Sequence, residues 1–313
     1  MKCRSSLMIC ALLAAALTAA AQEPPSDTHH GIMVRTAQVF ISPDANSTKM
    51  AMLDRGREVA VLDQSGEWLH VLASVTQEKD ITGWIYDKGV VRINTPDGDK
   101  ILFGEAAASE LEASKAHGRK GAADDARRLY YRVFDYFPKS PLAGEALYRA
   151  ADIIWQLDAN DVNSRPSARM RNPDDRAEIN EEYMKMVIKK FSGTKWADMA
   201  AFHLIDNKLC GDWIGQSKCP DREANIYEKY AFDHPDSPNA AEALYDAATR
   251  RAALIEIYKT ENNAKKSEES RGQAKSDANV AITKYPETDW ALRSRTLVYM
   301  LDQGIPTYGN SLQ

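Results

Sequence analysis

Apolar and polar positions follow a helical period over most of the chain, and the pattern is clearest in residues 130–151. Apolar side chains spaced for one helix face end at Phe137, and Pro138 cannot continue a helix. Ser140 and Pro141 then supply an N-cap and a first-turn proline, which are typical of a helix start. The segment is therefore predicted to form two helices joined by a tight turn, a helical hairpin.

The same pattern occurs in four units. The position that ends the first helix is Pro138 in the first unit, Ser192 in the second, Pro235 in the third and Pro286 in the fourth. Each following helix carries small apolar side chains at helical spacing, namely Ala143, Ala146, Leu147 and Ala150; Ala197, Ala200, Ala201 and Leu204; Ala240, Ala243, Leu244 and Ala247; and Ala291, Ser294, Val298 and Leu301. Small faces let helices approach closely, and about three stacked units suffice to bury a continuous core. We predict an all-α solenoid over residues 104–303.

Residues 32–95 have a different pattern, in which β-branched and aromatic residues alternate with polar ones. Residues 59–62 and 68–71 are predicted to be strands joined by a tight turn, and residues 83–86 begin a later strand. The turn-forming residues at 94–99 mark the end of this segment. The chain is thus predicted to be multidomain, with a small all-β barrel ahead of the solenoid.

Short motifs in this β segment resemble the bacterial SH3-like domain family. They are Ile41-Ser42-Pro43, Leu53-Asp54-Arg55-Gly56, Gly66-Glu67-Trp68-Leu69-His70-Val71 and Gly83-Trp84. The Asn-Val-Arg that is usual in the family's early segment is replaced by Val39-Phe40-Ile41, so a ligand held by that arginine does not carry over. The resemblance implies an SH3-like barrel that binds peptides or the cell wall.

A groove for an extended peptide, bordered by aromatic side chains, is one consequence of this resemblance. The candidate ligand-binding residues are Trp68, Trp84, Tyr86 and Phe40. The alternative interpretation places Trp68 and Trp84 half-buried in the core of a small barrel.

The helical units share a phrase: an aromatic residue, Pro, any residue, Ser or Thr, and then Ala-x-x-Ala. Over residues 122–301 it resembles the tetratricopeptide-like repeats of the BamD-type outer-membrane assembly lipoproteins and of the periplasmic coordinator that works with the Tol–Pal system. The resemblance implies a concave groove that holds an extended peptide or a partner helix. The chain lacks the lipid-anchoring cysteine of the BamD type, and those proteins lack a leading SH3-like barrel.

The first residues predict export. Lys2 and Arg4 precede an apolar run, and the three alanines at 19–21 offer a cleavage site. Residues 1–21 are therefore predicted to be a secretory signal peptide.

Other features of the termini refine this prediction. Residues 22–31 are polar and rich in proline, so we expect a flexible leader, and residues 304–313 should form an irregular tail. Ile9 precedes Cys10, where lipid attachment requires a small residue, so a lipid anchor is not expected. Because no later apolar run is long enough to span a membrane, we expect an exported, periplasmic protein.

Two cysteines lie outside the predicted signal peptide, Cys210 and Cys219. In an exported chain a close pair of this kind predicts a local disulfide, with two free thiols as the alternative. Without His or Asp at ligand spacing the pair cannot complete a tetrahedral metal site, so no metal is expected. Trp213 lies near the tip of the loop between them and is a candidate contact for a partner.

Residues 158–174 interrupt the helical register and are predicted to form a mobile loop. The loop carries Arg165, Arg169 and Arg171 between two acidic ends. These arginines could grip an acidic partner, and the alternative is a plain solvated loop.

Charge and motifs exclude several classes of function. The formal net charge of −5 gives no basic field for nucleic acid, which is not expected as a partner. The sequence contains no phosphate-binding glycine loop, zinc-protease helix or nucleophile elbow. We therefore expect no cofactor and no enzyme activity.

Together these patterns predict a non-catalytic exported adaptor or scaffold that binds proteins or peptides of the cell envelope, with a role in outer-membrane or envelope assembly. The alternative is a peptidoglycan-binding module that acts through the barrel. A cell-wall hydrolase is a third interpretation, and it would need a catalytic cysteine, although both remaining cysteines are assigned to the disulfide.

Overall fold

The computed structural model describes residues 29–76 and 79–309. Within these residues the chain forms an antiparallel half-barrel of seven strands followed by nine helices. The strands are β1 (His30–Met33), β2 (Ala37–Phe40), β3 (Lys49–Leu53), β4 (Glu58–Ser65), β5 (Trp68–Thr76), β6 (Lys79–Tyr86) and β7 (Val90–Val91). The helices are α1 (Gly98–Ala113), α2 (Ala122–Tyr136), α3 (Ala143–Ser164), α4 (Glu182–Lys190), α5 (Lys195–His203), α6 (Lys218–Asp233), α7 (Ala240–Thr260), α8 (Ala264–Lys284) and α9 (Asp289–Asp302). The predicted fold class, a β-barrel domain followed by an α-solenoid, is confirmed.

The sheet has the strand order β3-β2-β6-β5-β4-β1-β7, with antiparallel pairing throughout. Side chains alternate between its two faces, and the inner face forms one apolar core. Fully buried members of this core are Met33, Val39, Leu53, Val59, Leu69, Val71 and Ile85. The long hairpin of β4 and β5 corresponds to the two strands that the sequence predicted.

Each predicted hairpin is present: α2 with α3, α4 with α5, α6 with α7, and α8 with α9. The first helix of every pair ends in the same backbone turn, with φ between −124° and −127° at the capping residue: Phe137, Phe191, His234 and Tyr285. In each turn the capping carbonyl accepts the N–H three residues later, at 2.9–3.2 Å. The repeat is therefore a shared local geometry as well as a sequence pattern.

The predicted small-residue faces lie at the helix contacts. Ala146, Ala200, Ala243 and Ala291 are completely buried, one in each hairpin. Because a methyl side chain keeps neighbouring axes close, every hairpin can pack on the next with little volume between backbones.

Barrel and solenoid share one apolar cluster. Ile32 and Val91 of the half-barrel pack with Leu102 of α1 and with Leu129 and Val133 of α2. Helix α1 starts at Gly98, within the turn-forming residues 94–99 that the sequence placed at the end of the β segment. The helix contacts β7 directly, so few residues separate the last strand from the first helix. No mobile linker therefore separates the two parts in the described residues.

A polar cluster reinforces this junction. Tyr136 of α2 donates a hydrogen bond to Glu58 of β4 at 2.6 Å, and Arg132 and His30 lie 3.0 and 2.9 Å from the same carboxylate. Burial alone would raise the pKa of Glu58, but the Tyr136 hydroxyl, the Arg132 charge and the His30 contact together lower it. The carboxylate therefore stays ionised at the junction.

The expectation of a mobile loop at residues 158–174 is wrong for its first part. Helix α3 continues to Ser164. Although the residues after Asp158 are mostly polar, Val162 is buried against Trp155 and Ile179, which keeps this part of the helix packed on the core. The remainder contains short 3-10 turns at Pro166–Arg169 and Pro173–Asp175.

A buried ion pair joins α7 to α8. The Arg251 Nε atom lies 2.8 Å from an Asp277 carboxylate oxygen, and both side chains are less than one tenth exposed. Arg251 also donates to Gln273 at 2.6 Å and to Glu228 of α6. Burial raises the pKa of Asp277 to about 6, although the Arg251 charge opposes the rise.

This shift predicts a pH-dependent stability. Between its unfolded pKa of 3.8 and its folded pKa of about 6, Asp277 holds more proton in the folded state, so stability from this group is present at low pH and is lost as pH rises through 6. We expect the free energy of unfolding, relative to that of Asp277→Asn, to fall by about 2 kcal/mol from pH 4 to pH 7.5. Urea denaturation of both chains measures it.

The matched control for this experiment is Asp236→Asn, which removes an exposed carboxylate from the turn after α6. Its difference from the parent chain should stay constant with pH. A constant difference for Asp277→Asn as well would contradict the prediction.

Candidate functional site

Aromatic side chains cover the outer side of β5 and β6. Leu69 and Ile85 point into the core of the half-barrel. Because strand side chains alternate, Trp68, Trp84 and Tyr86 point to the opposite, outer side.

Cross-strand register brings these rings into contact. Trp68 pairs with Tyr86, and their ring centroids lie 4.0 Å apart. Trp84 pairs with His70, whose ring stacks on it at 4.8 Å, and with Phe40 on the other neighbouring strand. Phe40 also meets Trp68 edge-on at 5.5 Å. We call this cluster of Phe40, Trp68, His70, Trp84 and Tyr86 the aromatic face.

The structure thus brings together all four residues that the sequence suggested for a ligand groove. Trp68 and Trp84 are half-buried, as the alternative interpretation expected. They lie outside the barrel core, where Trp68 packs on Tyr86 and Phe40 and Trp84 packs on His70. His70 was missed by the sequence analysis. It could have been found from its position two residues after Trp68 in the same strand, because such residues lie on the same face of a sheet.

The aromatic face remains open to solvent. Phe40 is buried beneath the other rings, while Tyr86 is 39% exposed, and nearby Leu72 and Ile41 are 40% and 62% exposed. At its margin Glu67 and Lys88 form an exposed ion pair at 3.2 Å. A contiguous apolar surface with a charged margin is typical of a protein contact site.

The helices leave this face uncovered because they meet the half-barrel elsewhere. Contacts to α1 and α2 come from β1, β4 and β7, which lie at the other end of the strand order. Arg128 of α2, for example, donates to the Arg55 carbonyl just before β4 at 3.1 Å.

Strand β3 forms the edge of the sheet next to the aromatic face. It pairs with β2 only, within the part of the chain that the structure describes. Met50 and Met52 on this strand are 45% and 54% exposed. An edge strand presents free backbone donors and acceptors, to which another extended chain can pair.

A second candidate region lies on the solenoid, where two loops dock. Cys210 and Cys219 form the predicted disulfide. The Gly211 N–H donates to the Met170 carbonyl at 3.1 Å, and the Asp212 N–H to the Arg169 carbonyl at 3.4 Å. The loop at 165–175, here named the arginine loop, is thus held against the loop at 209–218, here named the cysteine loop.

The close approach explains why a glycine occupies position 211. A Cβ atom there would lie 2.5 Å from the Met170 carbonyl oxygen, closer than side chains allow. The predicted arginines are separated by this docking: Arg169 and Arg171 belong to the docked segment, while Arg165 pairs with Asp161 of α3.

Trp213 is anchored by its surroundings. Its indole N–H donates to Glu223 at 3.2 Å, and its ring lies 5.9 Å from that of Tyr308 in the C-terminal tail. Glu223 is itself buried and also accepts the Cys210 N–H at 2.9 Å. The exposed apolar side chain at the tip of the cysteine loop is Ile214, with 72% of its surface free.

Histidine positions are explained by contacts between units. His203 of α5 lies 3.2 Å from both the Tyr148 hydroxyl and an Asp152 carboxylate of α3. The His234 Nδ1–H group likewise donates to an Asp198 carboxylate oxygen of the preceding hairpin at 2.8 Å. Among the described residues, no group of three or more His, Cys, Asp or Glu side chains is placed to hold a metal ion.

Comparisons with known proteins find no match, either among models of protein families or among curated proteins. No helix in residues 29–76 and 79–309 is both long and apolar enough to cross a membrane. The disulfide is consistent with an oxidising, exported compartment. The predicted signal peptide lies outside the described residues.

Replacing Gly211 tests the docking of the two loops. Gly211→Ala should push the arginine loop away and lower the free energy of unfolding by about 1–3 kcal/mol, since the added methyl group has no space. Trypsin should then cut after Arg169 and Arg171 faster than in the parent chain, which limited proteolysis with mass spectrometry measures.

Gly104→Ala in α1 is the matched control, because a Cβ atom there meets nothing within 4 Å. It should leave the cleavage rate unchanged. Equal cleavage rates for Gly211→Ala and the parent chain would show that the docking is not maintained in solution.

Proposed function

We propose that this protein is an exported, non-catalytic adaptor that binds an extended segment of another cell-envelope protein on the aromatic face of its half-barrel. The observation that carries the proposal is the convergence of Trp68, Trp84 and Tyr86 on one open surface, above the buried ring of Phe40. Aromatic residues clustered at the centre of an apolar patch dominate the energetics of protein interfaces.

The neighbouring edge strand favours an extended segment. Such a segment could pair with the backbone of β3 and direct alternate side chains toward Met50, Met52 and the rings of the aromatic face. Main-chain hydrogen bonds would supply affinity, and the apolar surface would select the side chains.

Stacking within the aromatic face bears on the peptidoglycan alternative. Trp68 stacks on Tyr86 and Trp84 on His70, so the partner covers one face of each of these rings and closes it to a sugar. A sugar ring needs a free aromatic face for stacking. This arrangement favours side-chain contacts with a peptide.

The solenoid supports the role of an adaptor. Its resemblance to tetratricopeptide-like repeats suggests a second surface for a partner protein. Because the half-barrel and α1–α3 share one apolar cluster, the two surfaces would keep a fixed relative orientation. The disulfide and the predicted signal peptide favour the periplasm as the place of action.

Site-specific photocrosslinking in cells that export the chain tests this proposal. A photoreactive amino acid at Leu72, beside the aromatic face, should form an adduct with an envelope protein, whereas one at Leu111 of α1, which is more exposed than Leu72, should not. Trp84→Ala should reduce the Leu72 adduct by about tenfold or more, as expected for a central aromatic contact.

Trp290→Ala, which removes a half-buried tryptophan from α9, is the matched control and should leave the adduct unchanged. Unaltered far-UV circular dichroism would show that both variants fold. Retention on purified sacculi without any protein adduct would replace the proposal by the peptidoglycan alternative, and release of muropeptides would overturn its non-catalytic part.

A further inference from the structure

The docked loops border an open cavity of about 430 Å³ beside the disulfide. Arg171 of the arginine loop lies on one side, and Lys218 and Arg222 of the first turns of α6 lie on the other. Met170 and the two cysteines supply apolar surface. The cavity lies on the solenoid, in a different part of the chain from the aromatic face.

Positive charge in this cavity is not neutralised from within the described part of the chain. Arg171 and Lys218 have no carboxylate within 4 Å there. Arg222 donates to the Lys208 carbonyl at 2.8 Å and contacts the Cys210 sulfur at 3.4 Å, both of which are uncharged. Asp175 is the carboxylate that lines the same cavity, so cations exceed anions by three to one.

The walls are held in place before any ligand binds. The disulfide fixes the ends of the cysteine loop, and the Gly211 N–H fixes the arginine loop. Arg176 adds a hydrogen bond to the Leu209 carbonyl at 2.8 Å. The backbone segments that carry the cationic side chains therefore need no rearrangement when an anion binds, which lowers the entropic cost of binding.

We propose that this cavity binds the carboxylate group of a small ligand that also carries a short apolar part, such as the free C-terminal carboxylate of a peptide. The planar guanidinium of Arg171 can donate two parallel hydrogen bonds to a carboxylate, and Lys218 adds a point charge. Asp175 opposes a doubly charged group such as phosphate. Met170 and the disulfide contact the apolar part.

Isothermal titration calorimetry of the full exported chain tests this site, with acetyl-Ala-Ala as a free acid and as its amide as the probes. The acid should bind saturably and the amide should not, because only the acid carries the charge. Affinity for the acid should fall as salt rises, since the cavity is open to solvent. Inorganic phosphate should bind more weakly than the acid.

Variants identify the site. Arg171→Gln and Lys218→Gln should each lower the affinity for the acid by about tenfold, the effect of one charge-assisted hydrogen bond. Arg165→Gln is the matched control, because Arg165 lies on the same loop but pairs with Asp161 outside the cavity, and its affinity should equal that of the parent chain. Unchanged melting temperatures would show that all three variants fold.

Three results would overturn the inference: no heat of binding with the acid, equal binding of acid and amide, or equal losses in Arg171→Gln and Arg165→Gln. Phosphate that binds while the acid does not would overturn the carboxylate assignment. None of these results depends on the aromatic face, so this site and the proposed adaptor function can fail separately.

Discussion

The structure depends on one apolar cluster shared by two kinds of secondary structure. Ile32 and Val91 close the end of the half-barrel, and the same side chains pack on Leu102 and Leu129 of the first helices. Burial of this kind contributes roughly 25 cal/mol per Å² of apolar surface, without any directional requirement. The polar contacts of Glu58 with Tyr136, Arg132 and His30 are directional, so they fix the orientation of α2 on the half-barrel. The helices beyond α2 are then positioned by apolar clusters that join each hairpin to the following one.

Much of this architecture could be predicted because its determinants are local. The turn that ends α2, α4, α6 and α8 is encoded by an aromatic residue or His followed by Pro or Ser, and the structure shows one geometry for all of them. The aromatic face was predictable in part, since strand alternation places Trp84 and Tyr86 on one side of β6, while the pairing of β5 with β6 brings Trp68 to them. His70 required only the same rule.

Other features could not be predicted because they depend on contacts distant in sequence. The docking of the arginine loop depends on backbone hydrogen bonds, such as the one from the Gly211 N–H to the Met170 carbonyl. A pattern of side chains in the sequence does not predict bonds of this kind. Trp213 looked like an exposed contact but is anchored by Glu223, a carboxylate buried by the neighbouring helix. Polar residues after Asp158 suggested a loop, although a buried Val162 keeps them helical. In each of these cases the conformation is set by a contact with a residue of another element, so tertiary contacts outweighed the local propensity of the sequence.

The shared cluster also bears on whether the two parts of the chain are separable modules. A small β domain at one end of a chain is often treated as an independent unit that can be excised and studied alone. Here an excised half-barrel would present Ile32, Val34 and Val91 to water and lose the hydroxyl of Tyr136 from Glu58. Exposed apolar surface of that kind promotes self-association. Recombination that moved this β segment to another protein would therefore have to carry α1 and α2 with it, which makes the half-barrel and its first two helices one heritable unit.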